Sequence, residues 1–487
     1  MGSVRAGMDV IEELAGCGPE AQDRFLAKRS SVVADVMANG FTRRHPDLAA
    51  KPGFARWQLV ALAVAVTAVA VVVVFVPLVA LALLTVVVTA YSLLHAVIAV
   101  AGLLHRRPGA AAADPPVPDT QLPSYTVLVP AYQESEVIGG LVRHLAELDY
   151  PPDRLEVLIL VERHDPDTRR AVLAADPPPF VRIVQLPSGP PQTKPRSVNL
   201  GLMLARGELL VIFDAEDRPD PAQLRRVAAR FAARDGRTAC VQAQLLFRNA
   251  AGNWLTRQFA MEYALRFGLA LPGLERLRLP IPLGGTSNHF RTDTLRALGS
   301  WDAWNVTEDA DLGMRCAAMG YRTETIESVT WEEALDTVAP YVRQRTRWLK
   351  GFLVTTMVHT RHPCRTLRRF GASGTLVLLG VVAAAPVTAL LQPVLSALTV
   401  LALTGPVWSS TGAGLVVPAV AAQGVSITVW IAITFVAARR AGLAAPWHAL
   451  FSPFVTVLWS VAAWRAAHQL VVSPFSWEKT PHRPSTD

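Results

Sequence analysis

From Trp57 to His105 the chain runs for 49 residues without an Asp, Glu, Lys or Arg. That length suits two helices of about 20 residues each, the number needed to cross a hydrocarbon layer. Pro77 lies near the middle, where a turn is expected. Phe370–Ala438 is also free of these charges, and Leu443–Leu470 holds only Arg465. Breaks near Leu391-Gln392-Pro393 and at Thr404–Gly414 divide the second run, and the simplest count is six spans in all. That count places Arg439 and Arg440 opposite Arg56, Arg106 and Arg107, against the tendency of basic flanks to stay cytosolic. The other arrangement has four spans, with the segments near Gly371–Leu391 and Trp447–His468 lying in the interface. Both return the C-terminus to the cytosol.

The chain is 51% hydrophobic and 18% charged. That is too apolar for an ordinary soluble enzyme and too charged for a pure transporter, so one soluble domain plus several spans is expected. The net charge of +8 fits basic residues beside anionic headgroups. Nucleic acid is not the expected partner, because the arginines cluster next to apolar runs. Cys17, Cys240, Cys316 and Cys364 have no CxxC spacing, so free thiols are expected, with no zinc site.

Residues 1–56 are mixed and charged, with no apolar core of a signal peptide; short helices without an assigned function are expected. Residues 57–105 are the first pair of spans and 106–123 an Ala/Pro-rich linker. Residues 124–350 form the soluble domain. Residues 351–470 hold interface helices and about four membrane-embedded helices, and 471–487 a cytosolic C-terminal segment. Within the domain, apolar runs at Tyr125–Ala131, Leu155–Glu162, Val181–Leu186 and Glu208–Phe213 alternate with helical periods. This predicts an α/β fold with a mostly parallel sheet and helices on both faces. Ligands in such sheets bind at the carboxyl ends of the strands. No GxGxxG follows the first strand, which argues against a dinucleotide fold.

Three groups of residues carry chemistry. "LLVIFDAEDRPDP" sets Asp214, Glu216 and Asp217 just past a strand. Carboxylates there suit Mg²⁺ or Mn²⁺ together with diphosphate oxygens, although a solvated acidic loop has the same composition. "NVTEDADLGMRC" places Asp309 before an amphipathic helix, where it suits either a general base or a helix cap. "YVRQRTRWLKG" joins Gln344, Arg345, Arg347 and Trp348. Arginine binds diphosphate and tryptophan offers a face to a sugar ring; an interfacial helix with snorkelling arginines reads the same way.

In order, "TVLVPAYQE", "DAED", "TED" and "QRTRW", flanked by apolar spans, resemble the membrane branch of the family 2 glycosyltransferases, such as cellulose and hyaluronan synthases and ceramide glucosyltransferase. The resemblance covers about Ser124–Lys350. It implies a GT-A fold and an inverting hexosyl transfer from a nucleotide sugar, a UDP-sugar or GDP-mannose. Asp214 and Glu216 resemble the metal-binding D-x-D pair, with Glu in the second place and Asp217 as its possible substitute. Asp309, with Glu308 beside it, resembles the catalytic base. Gln344, Arg347 and Trp348 match Q-x-x-R-W, which implies donor diphosphate contacts, with Arg345 beside them, and Trp348 at the acceptor. Glu134, Glu162, Lys194 and Asn199 correspond to residues around the nucleotide.

"PLGGTSNHFR" matches the acceptor-side loop, which implies acceptor contacts at Gly285, Thr286 and Asn288; His289 is read more readily as structural. "PFSWEKTPH" resembles a gating loop, with Lys479 on the diphosphate and Trp477 over the pocket, or else a juxtamembrane anchor. The leading expectation is a processive polysaccharide synthase in the plasma membrane, its catalytic domain cytosolic, with a homo-oligomer or an accessory cell-envelope protein as possible partner. The alternative is transfer to a membrane lipid. A transporter is disfavoured because the spans lack buried charges.

Overall fold

The computed structural model describes residues 13–14, 17–105, 114–404 and 410–479. Arg106, Arg107, the linker up to residue 113 and the tail from Thr480 lie outside the described residues. Two helices, α1 (Pro19–Lys28) and α2 (Ser30–Arg44), come first. They dock onto the soluble domain: Arg182 pairs with Asp23 at 2.6 Å, Trp304 Nε1 donates to the Ala38 carbonyl at 2.9 Å, and Met37 and Phe41 are buried. These two helices are therefore part of the domain's core. α3 (Arg56–Phe75) and α4 (Pro77–Leu103) form the first apolar pair. Pro77 opens α4, where a helix has no use for the missing N–H.

The domain begins with β1 (Tyr125–Ala131), α5 (Ile138–Ala146), β2 (Leu155–Glu162), α6 (Pro166–Ala174), β3 (Val181–Leu186), α7 (Lys194–Leu204) and β4 (Leu209–Ile212). These four strands pair in parallel in the order β3-β2-β1-β4. There follow β5 (Arg218–Pro219), α8 (Gln223–Ala232), β6 (Thr238–Phe247), α9 (Trp254–Leu265), a π-turn (Arg266–Ala270), α10 (Leu271–Arg276), β7 (Asn288–Arg291), α11 (Thr292–Ala297), α12 (Glu308–Ala318) and β8 (Arg322–Glu332). β7 runs antiparallel between β4 and β6, and β8 lies parallel to β6. The eight-stranded sheet is thus mostly parallel but mixed.

Strand side chains alternate between faces, and both faces are covered. Leu128, Leu158, Leu160 and Ile212 pack with α7 and α2, while Val127, Val129, Ile159 and Val211 pack with α5 and α8. Each such side chain contributes about 1.5–3 kcal/mol when fully buried. This doubly covered sheet holds the strand ends, and the site on them, rigid.

The remaining helices are α13 (Val338–Thr360), α14 (Pro363–Val377), a second π-turn (Leu378–Ala383), α15 (Ala384–Thr404), α16 (Ser410–Arg440) and α17 (Ser452–Val472). Five helices among the described residues are long and apolar enough to cross a membrane. The count differs from six because Pro393 sits inside the continuous α15. Its lost hydrogen bond is tolerated there, so it does not end a span. The kink lies earlier, at Gly371 (φ 64°) within α14.

α17 is fastened to the soluble domain along its length. Before it, His448 accepts from Gln258 at 2.8 Å; in its middle Trp459 donates to Glu262 at 3.0 Å; past its end Lys350 donates to the Ser476 carbonyl at 2.6 Å.

Candidate active site

The carboxyl ends of the strands open into one cleft. Glu134 follows β1, and its N–H donates to Thr168 at 2.9 Å. Glu162 ends β2 and pairs with the buried Arg196 at 3.0 Å. Burial raises the Glu162 carboxyl against the pull of Arg196.

Asp214 and Glu216 follow β4 and line the cleft. Asp217 does not: it is fully buried, accepts from the Asp214 N–H at 2.8 Å and takes the Thr286 hydroxyl. It holds the turn and is no substitute ligand for Glu216. Burial, then the charges of Asp214 and Glu216, push the Asp217 carboxyl well above the usual range. Glu332, at the end of β8, lines the same cleft and is raised by burial and then by Asp217, Glu216 and Asp214.

Carboxylates that raise one another in this way form a region that favours a cation. Among the described residues no three acidic, His or Cys side chains are arranged to hold a metal by themselves. Asp214 and Glu216 nevertheless fit a hard divalent ion, which typically takes one or two carboxylates and fills its shell with phosphate oxygens and water.

The facing wall starts at α12. Thr307, its N-cap, makes no side-chain capping bond, so the group is not a simple helix cap. Glu308 and Asp309 both line the cleft. The α13 backbone lies hard against Thr307: a Cβ on Gly351 would come within 2.2 Å of its hydroxyl. That approach brings Gln344, Arg347 and Trp348 to the same cleft. Lys194, at the start of α7, ion-pairs with Asp214 and donates to the Gly285 carbonyl at 2.8 Å. Burial and then the Asp309 charge push the Glu308 carboxyl up to about 8, against Lys194 and Arg347. Burial also raises Asp309, opposed by its bond from Ala310 and by Arg266 and Lys194.

Residues 123–351 match the family described as "Glycosyltransferase like family 2". They form a family 2 glycosyltransferase domain. The chain is 26% identical over 234 residues to a probable glycosyltransferase, YdaM, of Bacillus subtilis (strain 168), covering 47% of this chain and 56% of that protein. It is 29% identical over 237 residues to the beta-monoglucosyldiacylglycerol synthase of Synechocystis sp., covering 47% of this chain and 48% of that one. It is 26% identical over 270 residues to glucomannan 4-beta-mannosyltransferase 1 of Oryza sativa subsp. japonica, covering 52% of each. The chain thus spans about half the length of these curated relatives. Among solved structures it is similar to the mannosyltransferase PcManGT of Pyrobaculum calidifontis in complex with GDP-Man and Mn²⁺: TM-score 0.53, 20% identity, 80% of this chain and 99% of that one. This likeness shows the GT-A fold.

The family 2 domain gathers most of the expected residues. Glu134, Glu162, Lys194, Asp214, Glu216, Gly285, Thr286, Glu308, Asp309, Gln344, Arg347, Trp348, Trp477 and Lys479 all line the one cleft. Three expected contacts, Arg345, Asn288 and Asn199, lie elsewhere. Arg345 is fully buried, pairs with Glu262, and is ringed by Phe259, Tyr341, Trp348 and Trp459 at 4.1–5.3 Å. Two residues from Arg347 on the same helix, about 200° around it, it turns into the core. Asn288 is buried and donates to the Gly284 carbonyl at 2.7 Å, shaping the loop from behind. Asn199 binds the Met37 and Trp301 carbonyls at 3.0 Å. His289 is structural, between Tyr125 (2.6 Å) and Gln223 (3.1 Å).

The tail after α17 reaches the cleft mouth. Lys479 pairs with Glu134 at 3.2 Å, Arg347 lies over the Trp477 ring at 5.5 Å, and Glu478 takes both arms of Arg465 at 2.7 and 2.6 Å. The sequence reading missed Tyr263, Arg266, Phe267 and Glu332, which also line the cleft. Tyr263 and Phe267 read as the apolar stripe of a helix, and Glu332 as the end of a strand; neither pattern signals a site.

Proposed function

We propose that this protein is an inverting, metal-dependent glycosyltransferase of the cytosolic membrane face that moves a hexose from a nucleotide sugar to a hydroxyl of a membrane lipid. The observation that carries the transfer reading is the convergence of strand-end acids, the Glu308-Asp309 pair and the Gln344–Trp348 motif in one cleft.

In this reading Asp214 and Glu216 would hold a divalent ion, which would supply Lewis-acid stabilisation of the leaving diphosphate. Lys194 and Arg347 flank the same phosphates. Trp348 stacks against the acceptor side. Asp309 accepts the acceptor hydroxyl proton while the acceptor oxygen bonds to the anomeric carbon. The bond from that carbon to the phosphate oxygen breaks on the opposite face, and the nucleoside diphosphate leaves with the electron pair. Lys479 and Trp477 close over the donor.

Two observations favour a lipid over a polymer. The bundle of α4, α15 and α16 is filled at its centre by Ala80, Leu81, Leu84, Leu395, Leu398 and Ala402. Its polar groups bond one another, Gln423 to Thr85 at 3.0 Å and Ser426 to Thr89 at 3.0 Å, whereas a secreted glycan needs a wet bore. Phe267, Phe352 and Trp348 also give the cleft an apolar wall.

The helix packing supports four spans, α3, α4, α15 and α16, with α17 in the interface, since both ends of α17 are tied to the soluble domain. Arg440, ending α16, reaches the Leu103 carbonyl at 3.3 Å, which returns it to the catalytic side and meets the positive-inside tendency. The processive synthase is the second reading, favoured by the tail at the cleft mouth.

The test is radiolabel transfer in nanodiscs with UDP-glucose, UDP-N-acetylglucosamine, UDP-galactose and GDP-mannose and Mg²⁺ or Mn²⁺. A small product extracted into organic solvent supports this reading. A high-molecular-weight, glycanase-sensitive product replaces it with the synthase.

A further inference from the structure

Arg266 opens the π-turn between α9 and α10 and lines the cleft. Its guanidinium donates from Nη2 to the Leu283 carbonyl at 3.1 Å. Leu283 immediately precedes Gly284-Gly285, and a Cβ on Gly285 would stand 3.4 Å from Asp309 Oδ2. One cation thus ties down the turn that faces the Asp309 carboxylate. π-Turns inside helices recur at functional sites, because the extra residue re-aims a side chain.

The turn is itself seated on a membrane helix. A Cβ on Gly102 of α4 would lie 2.0 Å from the Leu269 carbonyl oxygen of the π-turn, and one on Gly273 would lie 2.0 Å from the Ile98 carbonyl oxygen of α4. Backbone meets backbone at both places, so any larger residue must move one helix. Leu269 is fully buried there beside Ala99 of α4 and Ala437 of α16.

We propose that Arg266 is a positioning residue of the transfer reaction, a fixed cation that holds the Asp309 carboxylate and the Gly284-Gly285 turn in register, aimed by a π-turn clamped on the backbone of α4. The proposal rests on the reading of Asp309 as the base. The other charged groups that face Asp309 are Glu308 on its own helix, Lys194 from α7 and Arg347 from α13. Lys194 is already paired with Asp214. Burial lowers Arg266, and the Asp309 charge is the first influence restoring it.

The test is the pH dependence of kcat for wild type, Asp309→Asn, Arg266→Gln, Arg266→Lys and Gly102→Ala in nanodiscs, read as nucleoside diphosphate release from the four donors named above. Losing a nearby cation favours the protonated acid. Arg266→Gln should therefore lower kcat about tenfold or more and move the acid limb about one pH unit upward, with donor KM unchanged. Arg266→Lys should recover part of the shift. Gly102→Ala, far from the cleft, should move the limb the same way by displacing the π-turn. If Arg266→Gln is poorly folded, Arg266→Lys and Gly102→Ala decide. An acid limb unchanged in the folded variants overturns the positioning role. Activity in Asp309→Asn, or a wild type inactive on all four donors, instead overturns the transfer reading beneath it.

Discussion

Lys194 at the start of α7 and Asp214 at the end of β4 form an ion pair across the cleft floor, and the same ammonium donates to the Gly285 carbonyl at 2.8 Å. The lysine neutralises a strand-end carboxylate, and in the proposed reaction it would partner a phosphate once a divalent ion took over that carboxylate. Lys194→Ala is expected to raise donor KM at least tenfold, as loss of a charge-assisted contact does. Asp214→Asn is expected to abolish the dependence of turnover on added Mg²⁺ or Mn²⁺. Metal titrations of both variants check this.

Asp309→Asn should lower kcat by about 10²–10⁴, the usual contribution of a positioned base, with donor binding preserved. Isothermal titration with the donor, alongside single-turnover rates, separates the two.

Glu308 should titrate near pH 8, where burial places it. It is neutral below that pH and anionic above. Its new charge then competes for Lys194 and Arg347, so donor KM should rise as pH increases through 8. Glu308→Gln should remove that rise, which a KM–pH profile would show.

Arg345 is expected to act on stability rather than on donor binding. Removing it leaves Glu262 without its cation inside an aromatic ring of residues. Breaking a pair whose cation is fully buried costs up to about 3–5 kcal/mol. Arg345→Ala should therefore lower the apparent Tm by about 5 °C or more, while protein that remains folded keeps its donor affinity. A thermal melt paired with a binding titration tests both halves.

Lys479→Ala should raise donor KM if the tail closes over the donor, because the Lys479–Glu134 pair sits at the cleft mouth. Unchanged donor affinity and turnover would leave the tail as an anchor held by Glu478 and Arg465.

Local pattern was enough for the strands β1 to β4, the acids that follow them and the Q-x-x-R-W helix. A strand's apolar run ends where its backbone leaves the sheet, so an acid just beyond it lands on the carboxyl edge whatever the rest of the chain does. Charge-free runs likewise announce helices that water would not tolerate exposed.

Orientation within a helix and pairing between distant segments were decided only by tertiary packing. Arg345 and Arg347 differ by two positions in one motif, and the ion pair with Glu262, set among four aromatic rings around Arg345, turned the first inward. Asp214 and Asp217 are near neighbours, and Thr286, far along the chain, claimed the second. Arg266 carries no sequence signal, because the π-turn that aims it exists only where the backbones of α4 and α10 meet at Gly102 and Gly273. Whether α17 crosses or lies flat depended on what holds its two ends. Periodicity and composition fix what a segment prefers, but they say nothing about which distant backbone it will meet.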